Sequence, residues 1–253
     1  MVERDELVAR CESVMASHAI TDYCPNGLQV EGRAQVQRVL AGVTACEALL
    51  DEAIRWDACA VLVHHGYFWR GEAEPLVGMK GRRVAKLIRA NQNLIAYHLP
   101  LDVHPTLGNN AQLASRLGLQ QTRALAAGGT EGLLWVGELD EAEPLDAFAA
   151  RVAGVVARTP TVVGTPARGE VKRVALCSGG AQGFLSDAAA LGADVYISGE
   201  ISERTTHEAR ELGVGFLAAG HHATERLGVQ ALGAFLANEC AIEYRFFDVE
   251  NPA

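Results

Sequence analysis

Six of the eight histidines fall in three short segments: His64 with His65, His98 with His104, and His221 with His222. Neutral imidazole is a good ligand for zinc, iron, nickel and copper, and each segment follows a short apolar run. In Val61-Leu62-Val63-His64-His65-Gly66 two imidazoles meet the end of an expected strand. Adjacent strand side chains point to opposite faces, but Gly66 frees the backbone so that both rings can serve one site. An incidental pair in a loop fits the same residues. His98-Leu99-Pro100-Leu101-Asp102-Val103-His104-Pro105 is expected to be an extended turn, because its prolines fix the backbone and rule out helix. Asp102 there offers a carboxylate able to bridge two cations, or serves as an ordinary loop carboxylate or cap. His221-His222-Ala223-Thr224-Glu225 is expected to open a helix, where the i, i+4 spacing sets His221 and Glu225 on one face. Thr224 and Glu225 also suit capping, and His222 points elsewhere.

The joint occurrence of these segments carries more weight than any one of them. Three imidazoles (His64, His65, His221) and two carboxylates (Asp102, Glu225) exceed what one tetrahedral catalytic zinc takes. They suit a pair of metals about 3.5–4 Å apart with shared solvent. Mixed nitrogen and oxygen donors admit zinc, iron, manganese or nickel without distinguishing them.

The elements that must position these residues alternate strand and helix. Apolar runs predict strands over 39–43, 60–63, 94–97, 133–137, 171–177, 194–197, 214–218 and 241–247. Helices are expected over 5–17, 47–56, 81–90, 110–117, 145–153, 184–191, 203–212 and 224–238. Short apolar runs alternating with amphipathic stretches indicate an α/β fold with mainly parallel sheets. In such sheets ligands bind beyond the carboxyl ends of the strands, which is where the histidines fall.

The chain also repeats itself. An offset of 135 residues carries Arg38-Val39-Leu40-Ala41-Gly42-Val43 onto Arg173-Val174-Ala175-Leu176-Cys177-Ser178, and His65 onto Glu200. An offset of 123 carries His98 onto His221 and Asp102 onto Glu225. A duplication implies two similar, pseudo-twofold-related α/β lobes that both contribute ligands. The glycine-rich stretch 128–132 is the expected linker. It divides the chain into 1–127 and 128–253, with the C-terminal helix packing back on the first lobe.

Composition narrows the classes further. The 253 residues are 49 % hydrophobic and 21 % charged, ordinary for a globular protein. A net charge of −9 disfavours nucleic acid and anionic membranes as partners. No apolar stretch approaches the ~20 residues of a membrane span, and the charged start Met1-Val2-Glu3-Arg4-Asp5-Glu6 has no signal-peptide core behind it, so a cytoplasmic location is expected. The six cysteines form no CxxC pair and read as scattered reduced core residues.

With these residues in view, the sequence resembles the Nif-three-like family of dinuclear metal-centre proteins, also labelled GTP cyclohydrolase I type 2 homologues, in its short bacterial form. The resemblance rests on Asn26-Gly27-Leu28-Gln29-Val30, His64-His65-Gly66, His98 to Asp102, Ser198-Gly199-Glu200 and His221 to Glu225. It implies His64, His65, Asp102, His221 and Glu225 as ligands of two divalent ions, with His98 close by. The family usually has Thr-Gly-Asp where this chain has Ser198-Gly199-Glu200, so the role of Glu200 departs from the pattern. The resemblance also implies a hexameric ring and hydrolysis of a small nucleotide-like substrate. In that reading two metals share an activated water, and His98, Glu200 or His222 carries the proton. A non-enzymatic metal-binding assembly or regulatory protein is the alternative. Arg70, Lys80, Arg82 and Arg83 are candidates for phosphate binding or a solvated face. The aromatic stretch 67–72 is expected to be a lid or substrate platform, or else to pack at a subunit contact.

Overall fold

The structure, a computed structural model, describes residues 1–253. The first run of elements is β1 (Val2–Glu3), α1 (Arg4–Met15), β2 (Gly27–Val30), β3 (Gln35–Val36), β4 (Arg38–Thr44), α2 (Glu47–Arg55), β5 (Ala60–His65), α3 (Gly78–Arg89), β6 (Asn93–Ala96) and α4 (Leu99–Val103). The second is α5 (Asn109–Arg116), β7 (Gln120–Ala127), β8 (Thr130–Glu143), α6 (Leu145–Val156), β9 (Thr161–Val163), β10 (Val171–Cys177), α7 (Leu185–Ala190), β11 (Val195–Ser198), α8 (Glu203–Leu212) and β12 (Gly215–Ala218). The long helix α9 (His221–Cys240) and β13 (Glu243–Phe246) follow.

Two compact units emerge. One comprises Met1–Leu101 and Gly228–Glu250, the other Asp102–Leu227 and Asn251–Ala253. This division differs from a break after residue 127. Ala127 pairs with Thr130 across the β7–β8 hairpin, and Gly128 and Gly129 have φ of +57° and +82°. They form a two-residue hairpin turn, a conformation that glycine adopts at little cost, and not a linker. The chain instead returns to the first unit through α9, and β13 pairs parallel with β4.

In the first unit the sheet order is β13-β4-β5-β6-β2, parallel except for β2, which runs antiparallel to β6. Strands such as Ala60-Val61-Leu62-Val63 are buried along their length and apolar on both faces because both faces are covered. Leu49, Leu50 and Ala53 of α2 and Val84 and Leu87 of α3 pack in one core with Val61, Val63 and Leu94. In the second unit the order is β7-β8-β10-β11-β12-β9, with β10, β11 and β12 parallel and the outer pairings antiparallel. Phe148, Val152 and Val156 of α6 pack with Val174, Leu176, Ile197 and Leu217. Leu185, Ala188 and Ala209 from α7 and α8 pack in a second core with Tyr196 and Phe216.

The internal repeat reappears in the strand registers. Val39 pairs with Ala60 and Gly42 with Val63; 135 residues later Val174 pairs with Val195 and Cys177 with Ser198. A further expectation is corrected. The segment 98–105 is not an extended turn throughout, since Leu99–Val103 is a short helix. Pro100 occupies its first turn, where the missing N–H has no intrahelical acceptor to lose and φ is already suited to a helix.

Candidate functional site

His64 and His65 are the last two residues of β5. His64 is fully buried, and its Nδ1–H donates to the Tyr97 carbonyl just past β6, at 2.9 Å. That bond leaves Nε2 as the lone-pair nitrogen. His65 lies opposite Thr44 in the β4–β5 ladder, which sets its Nδ1 3.2 Å from Thr44 Oγ1. His98 follows β6; its Nδ1 lies 2.9 Å from Asp22 Oδ1 and its backbone N–H donates to Asn26 Oδ1 at 2.8 Å. The His64 ring centroid is 4.5 Å from that of His65 and 5.0 Å from that of His98. One donor atom from each of the three rings lies within 4.8 Å of the others, close enough to hold a cation. Gly66 lets the strands close up here, because a Cβ on it would stand 2.8 Å from Ala96 Cβ and 2.1 Å from Gln29 Oε1. That oxygen accepts the Tyr67 N–H at 2.7 Å, and Asn26 and Gln29 therefore brace the histidine group.

The second unit gathers Asp102, His221, Glu225 and Glu200. Asp102 Oδ1 accepts from Asn109 Nδ2 at 2.8 Å and from Ser178 Oγ at 3.3 Å. Asn110 Oδ1 in turn accepts the Ser178 N–H at 2.7 Å. His221 and Glu225 sit on the first two turns of α9 as the i, i+4 spacing requires, with Nε2 3.1 Å from Glu225 Oε1. On the other side of the ring, Nδ1 lies 2.7 Å from Glu200 Oε1. Thr224 Oγ1 accepts the Gly179 N–H at 3.1 Å and donates into the first turn of α9, which anchors that turn against the loop after β10. Gly179 has φ of +69°, and a Cβ on it would stand 2.3 Å from Glu225 Oε1 and 3.3 Å from His221 Nε2. The loop is a cradle that admits the carboxylate only because residue 179 has no side chain.

Burial works against charge on His221, but Glu225 and then Glu200 outweigh it through hydrogen bonds and attraction, and the pKa is pushed up to about 9. In the metal-free protein His221 is therefore an imidazolium held by carboxylates. Its folded pKa exceeds the unfolded value of about 6.5. The stability it contributes is full below that value and is lost as pH rises through 9. Chelator-treated protein should accordingly lose thermal stability from pH 6.5 to 9.5, and His221→Ala should flatten that dependence. An unchanged slope in the variant would remove His221 as its source.

The remaining sequence candidates are placed as follows. Glu200 is half-exposed and hydrogen-bonded to His221. His222 is buried, its backbone N–H donating to the Ala253 carbonyl. His104 Nδ1 accepts the N–H groups of Thr106 and Leu107, closing the turn after α4. Lys80 pairs with Glu72 at 3.0 Å and stacks over Phe68, and Arg70 donates to the Asp22 carbonyl at 3.1 Å. Trp69 stands edge-on to His98, 5.0 Å between centroids. Sequence reading missed Asp22, Thr44, Asn109, Ser178 and Gly179. Asp22 lies four residues before the quoted Asn26-Gly27 motif, and no local pattern marks the others.

Imidazoles and carboxylates gathered past the ends of parallel strands define an α/β protein with groups able to hold divalent metal ions. No helix is long and apolar enough to cross a membrane. The chain belongs to the Duf34/NIF3 (NGG1p interacting factor 3) family, whose model matches residues 2–252. It is 51 % identical to a Pseudomonas aeruginosa protein named GTP cyclohydrolase 1 type 2 homolog, over 98 % of this chain and 97 % of that one. A protein of the same name from Allochromatium vinosum is 49 % identical over 100 % and 98 %. Among solved structures, protein ybgI, described as of unknown function, superposes with a TM-score of 0.95 at 46 % identity, covering both chains fully. TTHA1606 from Thermus thermophilus superposes with a TM-score of 0.90 at 34 % identity, again over both chains.

Proposed function

We propose that the chain binds two divalent metal ions through His64, His65, Asp102, His221 and Glu225, and acts as a metal-dependent hydrolase on a nucleotide or related substrate. The observation that carries this reading is the anchoring of imidazoles by Nδ1: His64 on the Tyr97 carbonyl, His65 on Thr44, His221 on Glu200. Metal-binding histidines characteristically use one nitrogen for the metal and the other for a carbonyl or carboxylate. The donor chemistry fits borderline cations such as zinc, iron, manganese and nickel, and the glycine at 179 keeps the space around Glu225 and His221 clear. When bound, two such ions supply Lewis-acid polarisation and an activated water. The chain's own residues do the rest. Glu200 orients His221, Asn109 and Ser178 hold Asp102, and His98, Glu200 and His222 are the groups able to carry a proton. The shared name of the relatives, GTP cyclohydrolase 1 type 2 homolog, supports a nucleotide as the substrate class. The reading includes assembly into a hexameric ring, which native mass spectrometry checks directly.

The test is metal content per protomer by mass spectrometry, on protein purified without chelator or affinity nickel, followed by a nucleotide hydrolysis screen. About two equivalents and turnover that chelation abolishes are expected. Metal without turnover of any nucleotide would favour the non-enzymatic assembly. Less than about half an equivalent, not restored by added metals, would reject the dinuclear reading. Asn109→Ala should weaken metal affinity by roughly 10–100-fold, since it removes a hydrogen bond that orients Asp102. Titration of the stripped protein with zinc measures this, and an unchanged affinity would show that Asp102 needs no such support.

A further inference from the structure

Asp22 lies outside every regular element, between α1 and β2, yet its side chain is only 3 % exposed. Its Oδ1 accepts from the Tyr23 N–H at 2.6 Å and from His98 Nδ1 at 2.9 Å. Its Oδ2 accepts from Asn26 Nδ2 at 3.0 Å and from the Leu99 N–H at 2.9 Å. A carboxylate has about four lone-pair positions, and strong donors take all of them here. The Cys24 thiol adds a longer contact of 3.8 Å. Although donor atoms of Asp22, Cys24 and His98 cluster closely, this saturation makes Asp22 a poor metal ligand and a rigid hydrogen-bond acceptor. Burial alone would disfavour its charge, but the bonds from His98, Asn26 and Leu99 hold the carboxyl well below the usual carboxylate range.

An ionised carboxylate has no hydrogen to give, so the hydrogen between Asp22 and His98 belongs to the ring. The other restraints on His98 come from the same segment. Asn26 Oδ1 accepts the His98 backbone N–H, and Tyr23 packs edge-on to the ring at 4.9 Å. Trp69 closes a further side at 5.0 Å. We propose that Asp22 is a positioning residue that holds His98 in the Nδ1–H form and so turns the lone pair of Nε2 toward the His64–His65 group. His98 then enters the site as an acceptor at one defined atom, able to take a proton at Nε2 while Asp22 carries the countercharge. This role for His98 rests on the functional reading above; its tautomer does not, and is measured without metal.

The experiment is a long-range proton–nitrogen correlation spectrum of the metal-free full chain labelled with 15N-histidine, under conditions in which the ring is neutral. The His98 signals are identified by their loss in His98→Gln. A pyrrole-type Nδ1 and a pyridine-type Nε2 are expected in the wild type. In Asp22→Ala the pattern should invert, because an imidazole without such a partner favours Nε2–H. A wild-type ring protonated at Nε2 would overturn the proposal, and so would retention of Nδ1–H in a folded Asp22→Ala. The wild-type spectrum decides by itself if that variant fails to fold. Because metal is absent throughout, failure here is distinct from failure of the dinuclear reading, which the metal content reports.

Discussion

Glu225→Ala is expected to lower metal content from about two equivalents to one or fewer, with an affinity loss of at least about 100-fold. Glu225 is buried on α9 and faces His221 Nε2 at 3.1 Å, so the substitution removes a carboxylate and leaves an imidazole as the nearest donor. The same change takes away one of the two groups that raise the pKa of His221. The variant should therefore also show a weaker dependence of metal-free stability on pH. Metal analysis and a zinc titration on freshly stripped protein read the first effect. Circular dichroism confirms that the helix remains. A folded Glu225→Ala that still holds two equivalents would sink the assignment of Glu225 as a ligand.

Gly199→Ala should produce a large loss of stability in the loop that leads into α9. A Cβ at residue 199 would stand 2.6 Å from both the Gly179 carbonyl oxygen and the His221 Cα. Those atoms are backbone, tied by hydrogen bonds from the Gly199 N–H to Gly179 and from the Gly220 N–H to Gly199, so they cannot swing aside. Overpacking of this kind costs about 1–3 kcal/mol, or roughly 2–12 °C in Tm for a chain of this size. Gly180→Ala is the internal control. The nearest atom to its Cβ would be Glu200 Oε2 at 3.5 Å, an ordinary contact, so its melting temperature should stay close to the wild type. Equal Tm values for the two variants would show that the loop after β10 and the start of α9 are not held as closely as the contacts indicate. Loss of metal from a still-folded Gly199→Ala would further tie this packing to the site.

The parallel strands, the helices between them and the face shared by His221 and Glu225 were legible in the sequence, because each follows from a local period of two or 3.6 residues. The repeat was legible as well. Its offset of 135 residues recurs in the β4–β5 and β10–β11 registers, since equivalent apolar runs pair in equivalent ways. That His64, His65 and His98 stand at or just past the ends of β5 and β6 could be read from the apolar runs before them. What surrounds those histidines could not. Asp22 meets His98, and Ser178 meets Asp102, each across 76 residues, and nothing within either segment reports the other. Pro100 read as a helix breaker, but its effect depends on its position within the turn, and only the start of α4 at Leu99 settled that. The glycines at 128 and 129 read as a linker and are a hairpin turn, for the positive φ that glycine allows serves either purpose. Local composition determined which donor groups each segment carries and where they fall along the strands and helices. Which nitrogen of each ring is anchored, and on what, was decided by tertiary packing, because those hydrogen bonds join groups that only the folded chain brings together.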